Sequence, residues 1–315
     1  MTSNMKYSIV FPGQGSQSLG MMSDLNQNFT IVNDTFQEAS DAINVDLWKI
    51  VNEDQLALNL TENTQPVMLA AGYATYKILS EEMSLSPESM AGHSLGEYTA
   101  LVASKSLNFF DAIKLVRKRG EVMKSAVPNG AGSMAAIIGL EDSLIIDQCN
   151  QASKKGVVEA VNFNSPGQVV IAGEKEAVTY ACELLKEAGA KRALVLPVSV
   201  PSHCSLMKDA ANEFRNAVDS IEFRMNDVKV IHNVDAEYSK NIEEIKSKLV
   251  EQLYRPVLWT SSVLKMRKLG VEKLIEAGPG KVLSGLTRRI DKSLSASAII
   301  DVNSLKSTIE DISNA

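Results

Sequence analysis

The chain has 315 residues, 45% of them hydrophobic and 22% charged, with 32 basic residues against 38 acidic ones and a net charge of −6. That is a globular composition with length for about two domains, and with 5% aromatics and no long Lys/Arg run it lacks the footprint of a nucleic-acid or membrane-surface binder. No stretch reaches the about 18 apolar residues that span a bilayer, and the first eleven residues show no basic start ahead of an apolar run, so a cytoplasmic location is expected.

Residues 7–11 form a short apolar run that ends in Pro12-Gly13-Gln14-Gly15-Ser16-Gln17, a buried strand feeding a Gly-rich loop and then a helix. Thr64 as N-cap and Pro66 in the first turn precede Val67, Ala70, Ala74 and Ile78, whose spacing predicts a core-facing helix over 67–79. A strand over 87–91 leads into Gly92-His93-Ser94-Leu95-Gly96 and an Ala-rich helix. The 111–123 segment is helical again, with a basic face at Lys114, Arg117 and Lys118. From 130 to 197 the texture changes: strand 132–139, helix 141–153, strands 157–163 and 168–172, helix 175–187 and strand 192–196 follow in the order βαββαβ, the split pattern of a ferredoxin-like unit. Beyond it come a helix over 202–221, a strand over 228–232, helices over 242–254 and 257–268, a strand over 273–276, a helix from Gly280 and a polar C-terminal tail. The expected fold is therefore an α/β-hydrolase-like domain with a mostly parallel sheet, residues 1–129 and 198–315, interrupted by a small α+β domain at 130–197.

Two candidate phosphate loops fail. Gly13-Gln14-Gly15 meets Ser18 where a dinucleotide loop needs its third glycine, and Gly280-Lys281 is followed by Val282 where a Walker loop needs Ser or Thr. Cys149, Cys182 and Cys204 are odd in number and far apart, which reads as three reduced thiols and no metal site. The remaining chemistry centres on the G-x-S-x-G run between a predicted strand and helix. There the serine must ride a tight turn with small neighbours, and the helix start offers the Leu95 N–H to an oxyanion.

A serine nucleophile needs a base, and the chain has three histidines. His93 adjoins Ser94 and would point away from it, and His232 lies in an apolar run as a core histidine. His203 follows a passage with two prolines, Pro197 to Ser202, where it opens a helix. No acidic residue between Ser94 and His203 stands out as a triad member, so the residues suggest a Ser-His dyad.

Taken in order, Phe11-Pro12-Gly13-Gln14-Gly15-Ser16-Gln17, Gly92-His93-Ser94-Leu95-Gly96-Glu97-Tyr98, Arg117-Lys118-Arg119-Gly120, Val161-Asn162-Phe163-Asn164-Ser165-Pro166-Gly167-Gln168, Val198-Ser199-Val200-Pro201-Ser202-His203 and Gly278-Pro279-Gly280-Lys281 resemble the malonyl-CoA:acyl carrier protein transacylases of type II fatty acid synthesis. The resemblance runs from about residue 7 to about residue 289. It implies a ping-pong transfer in which Ser94 takes malonyl from malonyl-CoA with His203 as general base, then passes it to the phosphopantetheine thiol of acyl carrier protein. It further implies an oxyanion hole from the Gln14 and Leu95 N–H groups, His203 oriented by the backbone carbonyl of Gln252, and Arg119 clamping the malonyl carboxylate.

The implied partners are malonyl-CoA and a transiently bound acidic carrier protein, with no nucleic acid, membrane, metal or redox cofactor, and the expected state is a monomer. Lys114, Arg117 and Lys118 read as a surface patch open to CoA phosphates or the carrier, and Glu121 faces either the pocket or solvent. Two rivals remain open: an acyl hydrolase using the same serine and histidine, and a non-catalytic module that binds carrier protein.

Overall fold

The computed structural model describes residues 5–314; residues 1–4 and 315, the ends of the expected larger domain, lie outside the described residues. Its strands are β1 (Tyr7–Phe11), β2 (Ser89–Gly92), β3 (Gly132–Ile138), β4 (Val158–Ser165), β5 (Gln168–Glu174), β6 (Arg192–Val195), β7 (Lys229–Ile231), β8 (Lys273–Ala277) and β9 (Ser295–Ile299). They form two sheets. One has the order β7-β2-β1-β8-β9 with every neighbour parallel, and the other, β4-β5-β3-β6, is wholly antiparallel.

Two-sided burial explains why β1 reads as a continuous apolar run. Ile9 and Phe11 point into the largest core, with Val67, Ala70 and Ala74, while Val10 between them points into a second core with Val257, Val263 and Leu283. The antiparallel sheet builds its own core, in which Ile137, Val169 and Ile171 meet Ile145, Val178 and Leu185 of its two helices.

Three local expectations need correction. The helix placed at 67–79 spans Thr61–Glu82, so Pro66 lies inside it rather than in its first turn. Proline lacks an N–H and leaves the Glu62 carbonyl without its helical donor. Arg117 Nη1 donates to that carbonyl at 3.2 Å, which is how the longer helix is tolerated. The helix expected over 202–221 begins as a short 3₁₀ turn, Ser205–Met207, and continues as Lys208–Asp219, so His203 precedes it in a left-handed conformation with φ 69° instead of opening it. The polar C-terminal tail is a strand, β9, and a helix, Val302–Ser313, which Asp301 and Ser304 start with a reciprocal capping box. Alternating small and polar residues in Ser295–Ile299 concealed an edge strand.

The rejected Gly280-Lys281 loop has a physical explanation. The buried Glu276 carboxylate at the end of β8 accepts from Leu283 N at 3.1 Å and Ser284 N at 2.8 Å, so the start of the Val282–Ile290 helix already holds an anion.

Candidate active site

β2 ends at Gly92, and the helix Gly96–Ala103 starts four residues later. Between them Ser94 has φ 51°, a left-handed backbone that a non-glycine residue adopts only when its surroundings enforce it. Buried Asn233 enforces it: its Oδ1 accepts from Ser94 N at 2.8 Å, and its Nδ2 donates to Gly92 O at 2.7 Å. The glycine before the turn is sterically required, since a Cβ on Gly92 would stand 1.9 Å from the carbonyl carbon of Gly96. The Gly-rich loop closes on the same turn, with space for a Gly13 Cβ ending 2.3 Å from the His93 carbonyl oxygen.

Ser94 Oγ lies 2.8 Å from His203 Nε2. On the far side of the ring, Nδ1 is 2.7 Å from the Gln252 backbone oxygen. A carbonyl can only accept, so Nδ1 carries the proton and Nε2 presents its lone pair to the serine hydroxyl. His203 is buried; burial first, and the Arg119 charge second, hold its pKa down at about 3. The ring is thus neutral, with the Nε2 lone pair facing the serine hydroxyl. Glu159 of β4 anchors the segment after it, its carboxylate accepting from Ser205 N at 3.1 Å and from the Ser205 hydroxyl.

Arg119 projects from the helix Phe109–Ser125 and is 1% exposed. Nη1 donates to Gln65 Oε1 at 2.9 Å, while Nη2 donates to Gln252 Oε1 at 3.0 Å and to Ser94 Oγ at 3.1 Å. The guanidinium carbon stands 5.4 Å from the centre of the Tyr98 ring. Among the described residues Arg119 joins no ion pair, and its Nε has no hydrogen-bond partner. A buried cation held only by neutral acceptors is costly unless a ligand anion completes it.

The other sequence candidates take these places. Among the described residues the backbone N–H groups of Leu95 and Gln14 meet no acceptor, and the Gln14 side chain points to Thr61 Oγ1 at 3.3 Å. His93 Nε2 pairs with Asn164 Oδ1 of β4 at 2.8 Å, away from the nucleophile, and burial holds the ring neutral. His232 is a buried core histidine, bonded to Glu97 and Ser239. Of the basic helix face, Arg117 pairs with Glu121 at 2.8 Å and Lys118 with Glu213 at 2.5 Å, so Glu121 faces outward and two of the three cations are engaged within the chain. Lys114 lies over the Phe110 ring.

Sequence reasoning missed Gln65, Asn233, Glu97 and the side chain of Gln252. Each is a polar residue at a position where burial, which no local pattern reveals, forces it to bond inward. The available signal was polarity beside apolar runs, within helices for Gln65 and Glu97 and just past the ends of β7 and the Ile242–Glu251 helix for Asn233 and Gln252.

A family model described as the acyl transferase domain matches residues 8–309. The chain is 53% identical over 307 residues to a malonyl CoA-acyl carrier protein transacylase of Haemophilus influenzae, covering 97% of this chain and 98% of the relative. It is 42% identical to the protein of the same name from Bacillus subtilis, covering 97% and 96%. Among solved structures, an acyl carrier protein S-malonyltransferase from Vibrio cholerae superimposes with a TM-score of 0.93 at 52% identity, covering 96% of this chain and 99% of that one. A malonyl-transacylase in complex with its type II PKS acyl-carrier protein gives 0.96 at 49% identity, covering 97% and 99%.

Proposed function

This chain belongs to the acyl transferase domain family, and we propose that it transfers malonyl from malonyl-CoA to the thiol of acyl carrier protein through an ester on Ser94. The observation that carries the reading is Arg119, a buried guanidinium without a carboxylate partner, 3.1 Å from Ser94 Oγ. A planar fork of donors beside a nucleophile suits an acyl group that ends in a carboxylate. The names of the full-length relatives support the same substrate and acceptor, and use of the product in fatty acid synthesis is part of this reading.

In the first half-reaction the Ser94 hydroxyl attacks the thioester carbonyl while His203 Nε2 takes its proton. The imidazolium so formed is stabilised by the Gln252 backbone oxygen, which replaces the missing triad acid. Leu95 and Gln14 N–H groups receive the oxyanion, each worth about 100- to 1,000-fold in rate. Collapse breaks the C–S bond, and the proton on His203 goes to the departing CoA sulfur. In the second half the carrier's phosphopantetheine thiol gives its proton to His203 and attacks the ester carbonyl; the C–O bond to Ser94 breaks and His203 returns the proton to Ser94 Oγ.

The strand order β4-β5-β3-β6 with helices Asp142–Ala152 and Lys175–Glu187 supports reading 130–197 as an inserted ferredoxin-like domain. The parallel sheet with a serine turn at the end of β2 supports a hydrolase-like larger domain. One chain carries every residue of the proposed site, so we read the enzyme as a monomer. Its acidic carrier partner and cytoplasmic location stay part of this reading.

Intact mass after mixing with malonyl-CoA tests the reading: a malonyl adduct is expected on the wild-type chain and none on Ser94→Ala. Multiple-turnover CoA release is expected only with a thiol acceptor present; release in its absence would mark a hydrolase.

A further inference from the structure

We infer that Glu97 is a positioning residue that sets acyl-group selectivity by fixing which way the Gln252 amide points, an inference that rests on the malonyl-transfer reading. Glu97 sits in the first turn of the helix after the nucleophile and is fully buried. Its Oε1 accepts from His232 Nδ1 at 2.8 Å, and its Oε2 accepts from Asn233 N and from Gln252 Nε2, both at 2.9 Å. A backbone N–H cannot be reversed, so Asn233 obliges the atom it meets to be an acceptor. Gln252, bonded to that same oxygen, must therefore present its NH₂ group.

The consequence is felt at the other end of the amide. Gln252 Oε1 is left facing Arg119 Nη2 at 3.0 Å, while Nε2 also faces Ser94 O at 3.0 Å and Asn233 Oδ1 at 3.3 Å, so Glu97 is the carboxylate among the three acceptors that hold this orientation, and the nearest of them. A reversed amide would set NH₂ against the guanidinium and oxygen against both Ser94 O and Glu97. Arg119 would then keep only Gln65 as a fixed side-chain acceptor besides the Ser94 hydroxyl, and its fork would be free to turn away from the acyl site. The His203 ring is held by the Gln252 backbone oxygen, which does not depend on the amide. Glu97 also accepts from the backbone N–H of Asn233, whose side chain holds the Ser94 turn, so acetyl loading serves as the readout of any disturbance to the nucleophile itself.

The role requires an acceptor rather than a charge, which makes the prediction specific. In Glu97→Gln the new amide oxygen takes the Oε2 place, and its NH₂ faces His232. That imidazole accepts by moving its proton to Nε2, where the Ser239 hydroxyl, 2.9 Å away, becomes the acceptor. Glu97→Met keeps the volume and removes the acceptor.

The experiment compares adduct formation on the full chain with malonyl-CoA and with acetyl-CoA by rapid mixing and intact mass. Glu97→Met is expected to slow malonyl loading by about tenfold or more, the size of one lost charge-assisted hydrogen bond, and to change acetyl loading by less than about threefold. Glu97→Gln is expected to keep the wild-type ratio. An unchanged ratio in Glu97→Met, or an equal fall in Glu97→Gln, overturns the inference. Should Glu97→Met fail to fold, His232→Leu, which removes the donor holding the carboxylate, is expected to lower the same ratio, and an unchanged ratio there overturns it too. A wild-type chain that takes neither acyl group overturns the transfer reading and this inference together. Wild-type loading with one ratio across the variants overturns this inference alone.

Discussion

Arg119 Nη2 lies 3.1 Å from Ser94 Oγ, so a buried fork of donors stands beside a hydroxyl that also faces His203 Nε2 at 2.8 Å. The two side chains come from different helical segments, Phe109–Ser125 and the turn before Gly96–Ala103, and Gln252 ties them together. Gln252 therefore serves both sides through different groups, its backbone oxygen meeting His203 and its side-chain oxygen meeting Arg119.

Removing the fork should separate substrates. Arg119→Ala is expected to slow malonyl loading by about 100- to 10,000-fold, the value of two charge-assisted hydrogen bonds, and acetyl loading far less. Arg119→Lys should fall between, since an ammonium keeps the charge without the fork. Parallel loading assays check this, and equal losses with both acyl groups would make Arg119 structural.

The pH dependence follows from His203. Its pKa is depressed to about 3, so the ring stays neutral in the fold well below the ordinary histidine range, and the acid limb of malonyl loading should lie below about pH 5. Because the Arg119 charge contributes to the depression, Arg119→Ala should move that limb upward. For stability, the unfolded chain binds the proton first on acidification, so this contribution is full above about pH 6.5 and is lost as pH falls toward the folded value. Urea titrations from pH 7 to 4 should show a shallower loss for His203→Gln; identical slopes would contradict the assignment.

The turn before the nucleophile should not accept a methyl group. In Gly92→Ala the new Cβ would have to displace the Gly96 backbone, which stands 1.9 Å from its position, so a stability loss of about 1–3 kcal/mol is expected from overpacking. Loading by Ser94 should fall as well, because the same backbone sets its left-handed turn. A denaturant midpoint equal to wild type would refute the steric argument.

The thiols should be inert. Cys149 and Cys204 are buried, and burial pushes both up to about 12, with Cys182 raised for the same reason. Iodoacetamide at neutral pH is expected to leave transfer activity intact and to add no mass to the folded chain, and rapid alkylation of any of the three would contradict their burial.

Much of the architecture was legible because it rests on local pattern. The run of residues 7–11 coincides with β1, and the βαββαβ order from 132 to 196 corresponds to a separate antiparallel sheet, because strand and helix periods are written in adjacent residues. Edge strand β9 was not legible: its Ser and Ala residues alternate with too little apolar contrast to mark a buried face, and pairing with β8 defines it. The start of the Thr61–Glu82 helix was misplaced because proline reads as a boundary, and its rescue by Arg117 comes from a residue 55 positions away.

By itself, the sequence determined which residue types were available: one serine on a G-x-S-x-G turn, three histidines of which one followed a two-proline passage, and an arginine on a basic helix face. Tertiary structure alone decided their chemistry. Bringing His203 across 109 residues to 2.8 Å from Ser94, and burying Arg119 among neutral acceptors, depend on contacts between distant elements. Removal from water is what lowers the His203 pKa and sets the Arg119 cation against neutral acceptors, and burial is a property of the packed fold rather than of any stretch of residues.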